Sequence, residues 1–176
     1  MQTIWLGLGA NTHGHHGAPL ATFYHALCRL ERLGLSIFAY SDVFLTKPLG
    51  PVRQADFHNA VVGVRGSIGP AALLRLVKGL ERDAGRRAGT QWGPRPLDID
   101  ILDFGGRILA HPATQTHRGR LCLPHPAISE RGFVLLPLSE VAPYWRHPIS
   151  GRTAASLLAI RPQLGRHLRR LPLSLR

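Results

Sequence analysis

The chain has 176 residues, 44% of them hydrophobic, which predicts one globular domain with a sizeable core. It carries 22 lysine and arginine residues against 10 acidic ones, a net charge of +12, but the basic residues are scattered, which argues against a dedicated nucleic-acid partner. The sequence shows no disulfide framework, signal peptide or membrane span, so we expect a cytoplasmic protein without a membrane partner.

The first half of the chain alternates predicted strands and helices. Apolar periodicity predicts a strand at 2–9, a helix at 18–33, strands at 35–45 and 57–64, and a second helix that opens at 67–70. Pro19 suits the first turn of the first helix, and Gly34 ends it. The predicted buried face of the second helix consists of Leu73, Leu74, Val77, Leu80 and Ala84.

The second half contains more loop. A glycine- and arginine-rich loop at 85–96 leads into a strand that carries two aspartates, and Gly105-Gly106 predicts a hairpin turn into residues 107–109. A polar loop follows at about 111–120, then a helical region that starts at 124–126 and continues through 133–141, and a last small helix at 153–160. Residues 161–176 contain no acid, and we expect a loosely attached basic tail beyond a single domain at 1–160.

The order of these elements indicates the fold class. A β-α-β-β-α-β order is that of the ferredoxin-like split βαβ unit. It predicts the α+β class, with helices packed on an antiparallel sheet and extra elements at the C-terminus.

The strongest functional signal is the segment Trp92 to Leu102, in which Arg95 precedes Asp98 and Asp100. Residues two apart on a strand share a face, so the two aspartates lie side by side while their neighbours face a core. Burying two carboxylates together is costly without a counter-charge, and magnesium, which also binds substrate phosphates, is a suitable one. Arg95 can reach the same phosphates with its planar donor group. The segment therefore predicts magnesium-dependent phosphoryl or pyrophosphoryl transfer.

Several segments, in the same order, resemble one family. They are Leu8–Asn11, Thr46–Pro51, Asp56–Ala60, Trp92–Leu102, Pro124–Pro126 and Glu130–Phe133. The chain thereby resembles the 6-hydroxymethyl-7,8-dihydropterin pyrophosphokinases of folate synthesis, and the Trp-Gly-Pro-Arg-x-x-Asp-x-Asp core is the most specific part of the match. The resemblance implies transfer of the terminal diphosphate of ATP to the pterin hydroxymethyl group with release of AMP. It also implies two magnesium ions bound by Asp98 and Asp100.

The resemblance also implies roles for further residues. The implied pterin-binding residues are Thr46, Leu49, Phe57, Asn59, Trp92 and Phe133. The implied ATP-binding residues are Lys78, Glu81, Arg120, His125 and Arg131. Arg86 and Arg95 are candidates for catalytic loop positions. The substrates are then two small molecules, ATP and a pterin, and we expect a monomer.

Three alternatives stay open at this point. The loop at 85–91 is shorter than the family pattern, which leaves the match of Arg87 ambiguous and allows a pterin binder without turnover. The net charge and the predicted sheet allow a nucleic-acid-binding module, although the full Lys/Arg-Gly-Phe/Tyr-Gly/Ala-Phe-Val-x-Phe/Tyr pattern of sheet-face RNA binders is absent, since Arg131-Gly132-Phe133 matches only its first three positions. His13, His15 and His16 could bind a transition metal, but the flanking glycines and the absence of neighbouring acids favour an exposed loop.

Overall fold

The computed structural model describes residues 1–48, 53–87, 93–109 and 121–175, with the backbone alone for 172–174. Its strands and helices are β1 (Gln2–Ala10), α1 (Pro19–Arg32), β2 (Ser36–Tyr40), β3 (Asp42–Thr46), β4 (Phe57–Gly66), α2 (Pro70–Asp83), β5 (Asp98–Phe104), α3 (Gly132–Val141), α4 (Ala154–Ile160) and β6 (Arg169–Ser174). Short 3-10 turns occupy Ile128–Glu130 and Pro162–Gly165. No helix in these ranges has the length and apolar character needed to cross a bilayer.

The strands form one antiparallel sheet in the order β5-β1-β4-β3-β6, and β2 also pairs with β4. Each helical crossover passes over one strand, because α1 joins β1 to β2 across β4 and α2 joins β4 to β5 across β1. This is the split βαβ topology of the ferredoxin-like fold. The predicted α+β class and antiparallel sheet are confirmed.

Alternation along the strands divides the core between two faces of the sheet. On one face, Ile4, Leu6 and Leu8 of β1 pack in the same cluster as the buried residues of α1 and α2. On the other face, Trp5 and Leu102 pack in a second cluster with α3 and α4. The candidate site lies on this second face, beyond the end of the α3–α4 cluster.

The two crossover helices begin and end as predicted. Pro19 and Pro70 occupy their first turns, and Gly34 follows α1 with φ of +87°, a conformation that favours glycine. Of the predicted buried face of α2, four residues are buried, whereas Leu74 is only partly buried at the edge of the cluster.

The single strand predicted at 35–45 is wrong, because the chain forms β2 and β3 with a break at Ser41. The Ser41 backbone N–H donates to the Val61 carbonyl at 2.9 Å, and the Ser41 hydroxyl accepts from the Val61 N–H at 2.9 Å. Ser41 thus pairs with both backbone groups of Val61, and its hydroxyl takes the place of a backbone carbonyl in the hydrogen bonding between the strands.

The predicted hairpin at 105–109 is also wrong in part. Gly105 and Gly106 form the turn, with φ of +58° and +71°, but residues 107–109, the described part of the chain after it, do not pair with β5. Leu109 instead makes an isolated bridge to Leu123. The Leu102 carbonyl of β5 accepts a hydrogen bond from the His125 backbone N–H at 2.9 Å. The segment around residues 123–125 therefore lies beside β5, where the second strand of the hairpin was predicted.

The helical region predicted from 124 through 141 is two separate elements. Arg131 adopts an extended backbone, with φ of −111° and ψ of 99°, between the turn Ile128–Glu130 and α3. Gly132 follows, and a Cβ there would meet the Leu164 carbonyl oxygen at 1.9 Å, so only glycine allows this close packing. The break matters for the site because it places the Arg131 side chain in the cleft described below.

The expectation of a loosely attached tail is wrong for residues 169–174, which form β6 on the outer side of β3. Arg170 Nε forms an ion pair with Asp42 Oδ2 at 2.6 Å, and Arg170 Nη2 donates to Glu140 Oε1 at 2.9 Å. The tail has no acid of its own, but β3 and α3 supply the balancing carboxylates. The sequence pattern could not show this pairing because the partners lie far away along the chain.

Candidate active site

A cleft with a volume of about 240 Å³ opens where β1, β4 and β5 lie side by side on the α3 face of the sheet. Gly7 and Gly9 of β1 form its floor. Gly9 pairs with Asn59 on one side and Asp98 on the other, and Gly7 pairs with Asp100. Because these glycines carry no side chains, the β4 and β5 residues face a common space. Sequence reasoning missed this floor, although two glycines two apart in an apolar strand were the available signal.

Asp98 is held by two guanidinium groups. Arg95 Nη1 donates to Asp98 Oδ2 at 2.5 Å, and Arg86 Nη1 donates to Asp98 Oδ1. Burial acts to raise the pKa of Asp98, but the attraction of Arg86 and Arg95 is stronger and holds this pKa below its ordinary value. The carboxylate is therefore ionised at neutral pH.

A second carboxylate, that of Glu81, lies behind Asp98 and fixes the position of Arg86. Glu81 of α2 has a side chain that is only 3% exposed, and its Oε2 forms an ion pair with Arg86 Nη1 at 2.8 Å. Its Oε1 accepts from Lys78 Nζ at 2.7 Å and from the Ile99 backbone N–H at 2.8 Å. Glu81 thus ties α2 to β5 and holds Arg86 against Asp98. Arg87, the neighbouring loop arginine, is exposed.

Asp100 has a different set of partners. Arg131 Nη1 donates to Asp100 Oδ2 at 2.7 Å, and His125 Nε2 lies 3.6 Å from the same oxygen. Burial lowers the pKa of His125, with Arg131 acting in the same direction and Asp100 opposing it. His125 Nδ1 accepts from the Ala127 N–H at 3.1 Å, so a neutral ring carries its proton on Nε2, which faces Asp100.

The opposite wall of the cleft comes from β3, β4 and α3. The Asn59 amide is buried, and its Nδ2 donates to Thr46 Oγ1 at 2.9 Å and to the Phe57 carbonyl at 3.2 Å. Phe57 and Phe133 line the cleft and are half-buried, and Phe133 also packs against the α3–α4 cluster. Arg131 lies 5.7 Å from the centre of the Phe133 ring, within cation–π range. A flat heterocycle could bind between such rings with its polar edge toward Asn59.

Asn11 connects the two walls, and sequence reasoning gave it no role. Its Oδ1 accepts from the Arg95 backbone N–H at 2.8 Å, and its own N–H donates to the Arg95 carbonyl at 3.0 Å. Its Nδ2 donates to Gln54 Oε1 at 2.9 Å and to the Ala55 carbonyl at 3.1 Å. A buried asparagine directly after β1 was the available signal. Its position fixes the backbone that carries Arg95.

The structure thus brings most of the predicted site residues together. Thr46, Phe57, Asn59, Arg95, Asp98, Asp100, Arg131 and Phe133 line the cleft, and Arg86 and His125 contact its carboxylates. Lys78 and Glu81 lie in the network behind Asp98 and are not part of the cleft lining. Leu49, Trp92 and Arg120 lie outside the described residues.

The donor set of the cleft fits a hard divalent cation. Asp98 and Asp100 present carboxylate oxygens on one face of β5, and both line the same cleft. Magnesium is bound by one or two carboxylates together with substrate phosphates. Guanidinium groups on both sides suit a polyphosphate, because they bind phosphate with the same planar donor pair that binds carboxylate.

Comparisons with known proteins agree with this chemistry. A family model described as 7,8-dihydro-6-hydroxymethylpterin-pyrophosphokinase (HPPK) matches residues 5–143. A Pseudomonas aeruginosa protein named 2-amino-4-hydroxy-6-hydroxymethyldihydropteridine pyrophosphokinase is 36% identical over 173 residues, which cover 98% of this chain and 98% of that protein. An Aquifex aeolicus protein of the same name is 34% identical over 149 residues, covering 85% of this chain and 86% of that one.

Solved structures show the same fold. A Plasmodium falciparum HPPK-DHPS matches with a TM-score of 0.72 and 16% identity over 96% of this chain. An HPPK-DHPS described as in complex with substrates matches with a TM-score of 0.73 and 15% identity over 98% of this chain. The chain spans only 46% and 47% of these two proteins, so the likeness concerns one part of each.

Proposed function

This chain belongs to the 7,8-dihydro-6-hydroxymethylpterin-pyrophosphokinase family, and we propose that the cleft is the site at which it acts in folate synthesis. It transfers a diphosphate from ATP to the hydroxymethyl group of 6-hydroxymethyl-7,8-dihydropterin and releases AMP. The observation that carries the assignment of the cleft is its two-walled geometry. A carboxylate and arginine wall suited to a triphosphate faces an amide and aromatic wall suited to a pterin, across a floor of two glycines.

Asp98 and Asp100 are the proposed magnesium ligands, and we expect two ions as the sequence resemblance implies. When bound, magnesium neutralises triphosphate charge and orients the phosphates for transfer. The low pKa of Asp98 supports this assignment, because an ionised carboxylate is needed to bind the cation.

Arg86 and Arg95 stabilise the transferring group. In the structure both donate to Asp98, and in the substrate complex we expect them to exchange this carboxylate for phosphate oxygens. Glu81 acts through Arg86, since its carboxylate is fully engaged by protein donors, and Lys78 supports Glu81. We therefore propose a positioning role for this pair in place of direct ATP contact.

On the Asp100 side, Arg131 and His125 are proposed ATP ligands. Arg131 offers further guanidinium donors, and the neutral His125 ring offers an N–H at Nε2. Neither residue needs to remove a proton. Catalysis arises mainly from alignment of the two substrates and from electrostatic stabilisation of the migrating diphosphate.

Asn59, Phe57, Phe133 and Thr46 form the proposed pterin wall. The Asn59 amide donates to Thr46 and to the Phe57 carbonyl, so its orientation is fixed before a substrate arrives. A preorganised amide discriminates strongly between ring edges, because a mismatched ligand leaves buried polar groups unpaired. The sequence-based expectations of a cytoplasmic location and a monomer stay predictions.

The test is nucleotide analysis after incubation of the protein with ATP and magnesium, with and without 6-hydroxymethyl-7,8-dihydropterin. We expect AMP in amounts equal to the diphosphorylated pterin, and only when the pterin is present. Formation of ADP would contradict diphosphate transfer. Binding of pterin without any AMP would contradict catalysis and identify a pterin binder that lacks turnover.

A further inference from the structure

A second cluster of ligating side chains lies outside the cleft. His16 comes from the loop after β1, His25 from α1 and Asp83 from the last turn of α2. One potential ligand atom from each residue lies within 4.8 Å of the other two. None of the three lines the cleft, so the proposed pyrophosphokinase chemistry does not use them.

The loop that carries His16 is docked closely on the end of α2. The His15 backbone N–H donates to the Ala84 carbonyl at 3.1 Å, and Gly14 and Gly17 form a small bridge. A Cβ on Gly14 would lie 2.4 Å from the Ala84 carbonyl oxygen, so this approach requires glycine. The sequence pattern of glycines and histidines indicated an exposed loop without acids, but the fold supplies the acid from α2.

One contact within the cluster already has the spacing of a ligand pair. His16 Nε2 lies 3.3 Å from Asp83 Oδ2, and in a tetrahedral site with bonds of about 2.0–2.1 Å neighbouring donors are roughly 3.3 Å apart. The His16 and His25 rings stack with centroids 3.5 Å apart, so their lone pairs lie in nearly parallel planes. The His25 ring therefore has to rotate out of the stack to bind the same ion, and its nearest ligand atom lies within 4.8 Å of the other two.

Two imidazoles and one carboxylate make up the cluster, and two arginines lie beside it. Arg29 and Arg32 line the same small cavity and repel a cation, which reduces affinity without removing the ligands. Imidazole with a carboxylate selects zinc, nickel or copper over magnesium.

We propose that His16, His25 and Asp83 bind a divalent transition-metal ion of the zinc type, with water as the fourth ligand. The ion links the loop after β1 to α1 and to the C-terminal end of α2. Arg86 lies three residues after Asp83, so the site stabilises the start of the segment that carries this arginine.

The experiment uses metal-free, untagged protein titrated with zinc in the presence of excess magnesium, with heat of binding and thermal unfolding as measurements. We expect one saturable site in the wild type and a melting temperature that rises with free zinc. His25→Ala and Asp83→Asn should each weaken binding by more than about tenfold, because removal of a residue that only supports a ligand already costs about tenfold to a hundredfold in metal affinity. Cobalt should give a tetrahedral visible spectrum in the wild type and not in these variants.

Two controls separate this site from other binding. His13→Ala removes an exposed histidine of the same loop that is not in the cluster and should leave zinc affinity unchanged. Asp98→Asn removes a cleft carboxylate and should also leave it unchanged. Equal affinity in wild type and His25→Ala, an equal loss in His13→Ala, or no saturable binding in the wild type would each overturn the proposal.

Discussion

Asp98 and Asp100 lie two residues apart on one strand, yet different parts of the chain hold them. The partners of Asp98 are Arg86 and Arg95, both within twelve residues of it. The buried Glu81 in turn forms an ion pair with Arg86. Asp100 is held by Arg131, which lies thirty-one residues away, and faces the neutral His125. The α2–β5 segment therefore builds one side of the carboxylate pair, and the start of α3 builds the other.

This difference separates the ion pairs that stabilise the fold from those that a substrate can replace. Arg86 is shared by two carboxylates, and the side chain of Glu81 is almost fully buried. Among the described carboxylates Arg131 pairs with one, that of Asp100, whose side chain is 29% exposed. Removing the first arginine should disturb folding and catalysis, whereas removing the second should disturb catalysis with little change in stability.

The largest expected effect is loss of either carboxylate. Asp98→Asn and Asp100→Asn should each lower kcat about a thousandfold or more, because the electrostatic contribution of a bound metal is several kcal/mol. Steady-state AMP release measures this effect. Glu31→Gln, an exposed acid on α1, is the matched control and should leave the rate unchanged. A near-normal rate in one aspartate variant would show that the pair does not act together.

The arginine substitutions sharpen the comparison. Arg86→Ala and Arg131→Ala should both lower kcat about a hundredfold, as loss of one preorganised donor to a developing charge does. Only Arg86→Ala should also lower the free energy of unfolding, by about 1–3 kcal/mol, because Glu81 then loses a charged partner in a buried position. Denaturant unfolding measures the second effect. Equal stability of the two variants would contradict the difference between the two sides.

Asn59 lies on the wall opposite the two carboxylates. Its substitution tests whether pterin binding at that wall is independent of ATP binding. Asn59→Ala should raise the KM for the pterin about tenfold to a hundredfold, because a buried hydrogen-bonding group is lost from that wall. The KM for ATP is the internal control and should stay unchanged. A parallel rise in both KM values would indicate that the substitution disturbs the whole cleft.

The smallest expected effect concerns His125. Burial lowers its pKa below the ordinary value of 6.5, so the ring is neutral at neutral pH and charges only as the pH falls through its lowered pKa. His125→Gln should raise the KM for ATP about threefold to tenfold, the effect of one hydrogen bond. Because phosphate groups themselves titrate at about pH 6, the measure is the ratio of the KM of the variant to that of the wild type, which should be the same at neutral pH and above it. A ratio that changes within this range would contradict a neutral ring.

Much of this arrangement followed from local sequence pattern. Apolar alternation and the Asp-x-Asp spacing predicted β1 and β5 and placed both aspartates on one face. The element order predicted the topology. The break at Ser41 could not be predicted from periodicity, because a serine hydroxyl replaces a backbone bond within a run that is rich in apolar residues on both sides.

The parts that pattern missed depend on partners far away in the chain. β6 is a basic segment whose balancing acids, Asp42 and Glu140, come from other elements. The acid near the histidine loop, Asp83, is likewise supplied by the fold. Gly7 and Gly9 form the floor of a cleft only because β4 and β5 lie on the two sides of β1, and the sequence pattern does not show this arrangement.

The central claim is that Asp98 and Asp100 together hold the metal ions that bind the nucleotide. The most direct measurement is a manganese titration of the protein with a non-hydrolysable ATP analogue, in which electron paramagnetic resonance counts free and bound ions. We expect two bound ions in the wild type and loss of this tight binding in Asp98→Asn and in Asp100→Asn, with both variants folded. The same number and affinity of bound ions in either variant and in the wild type would contradict the account.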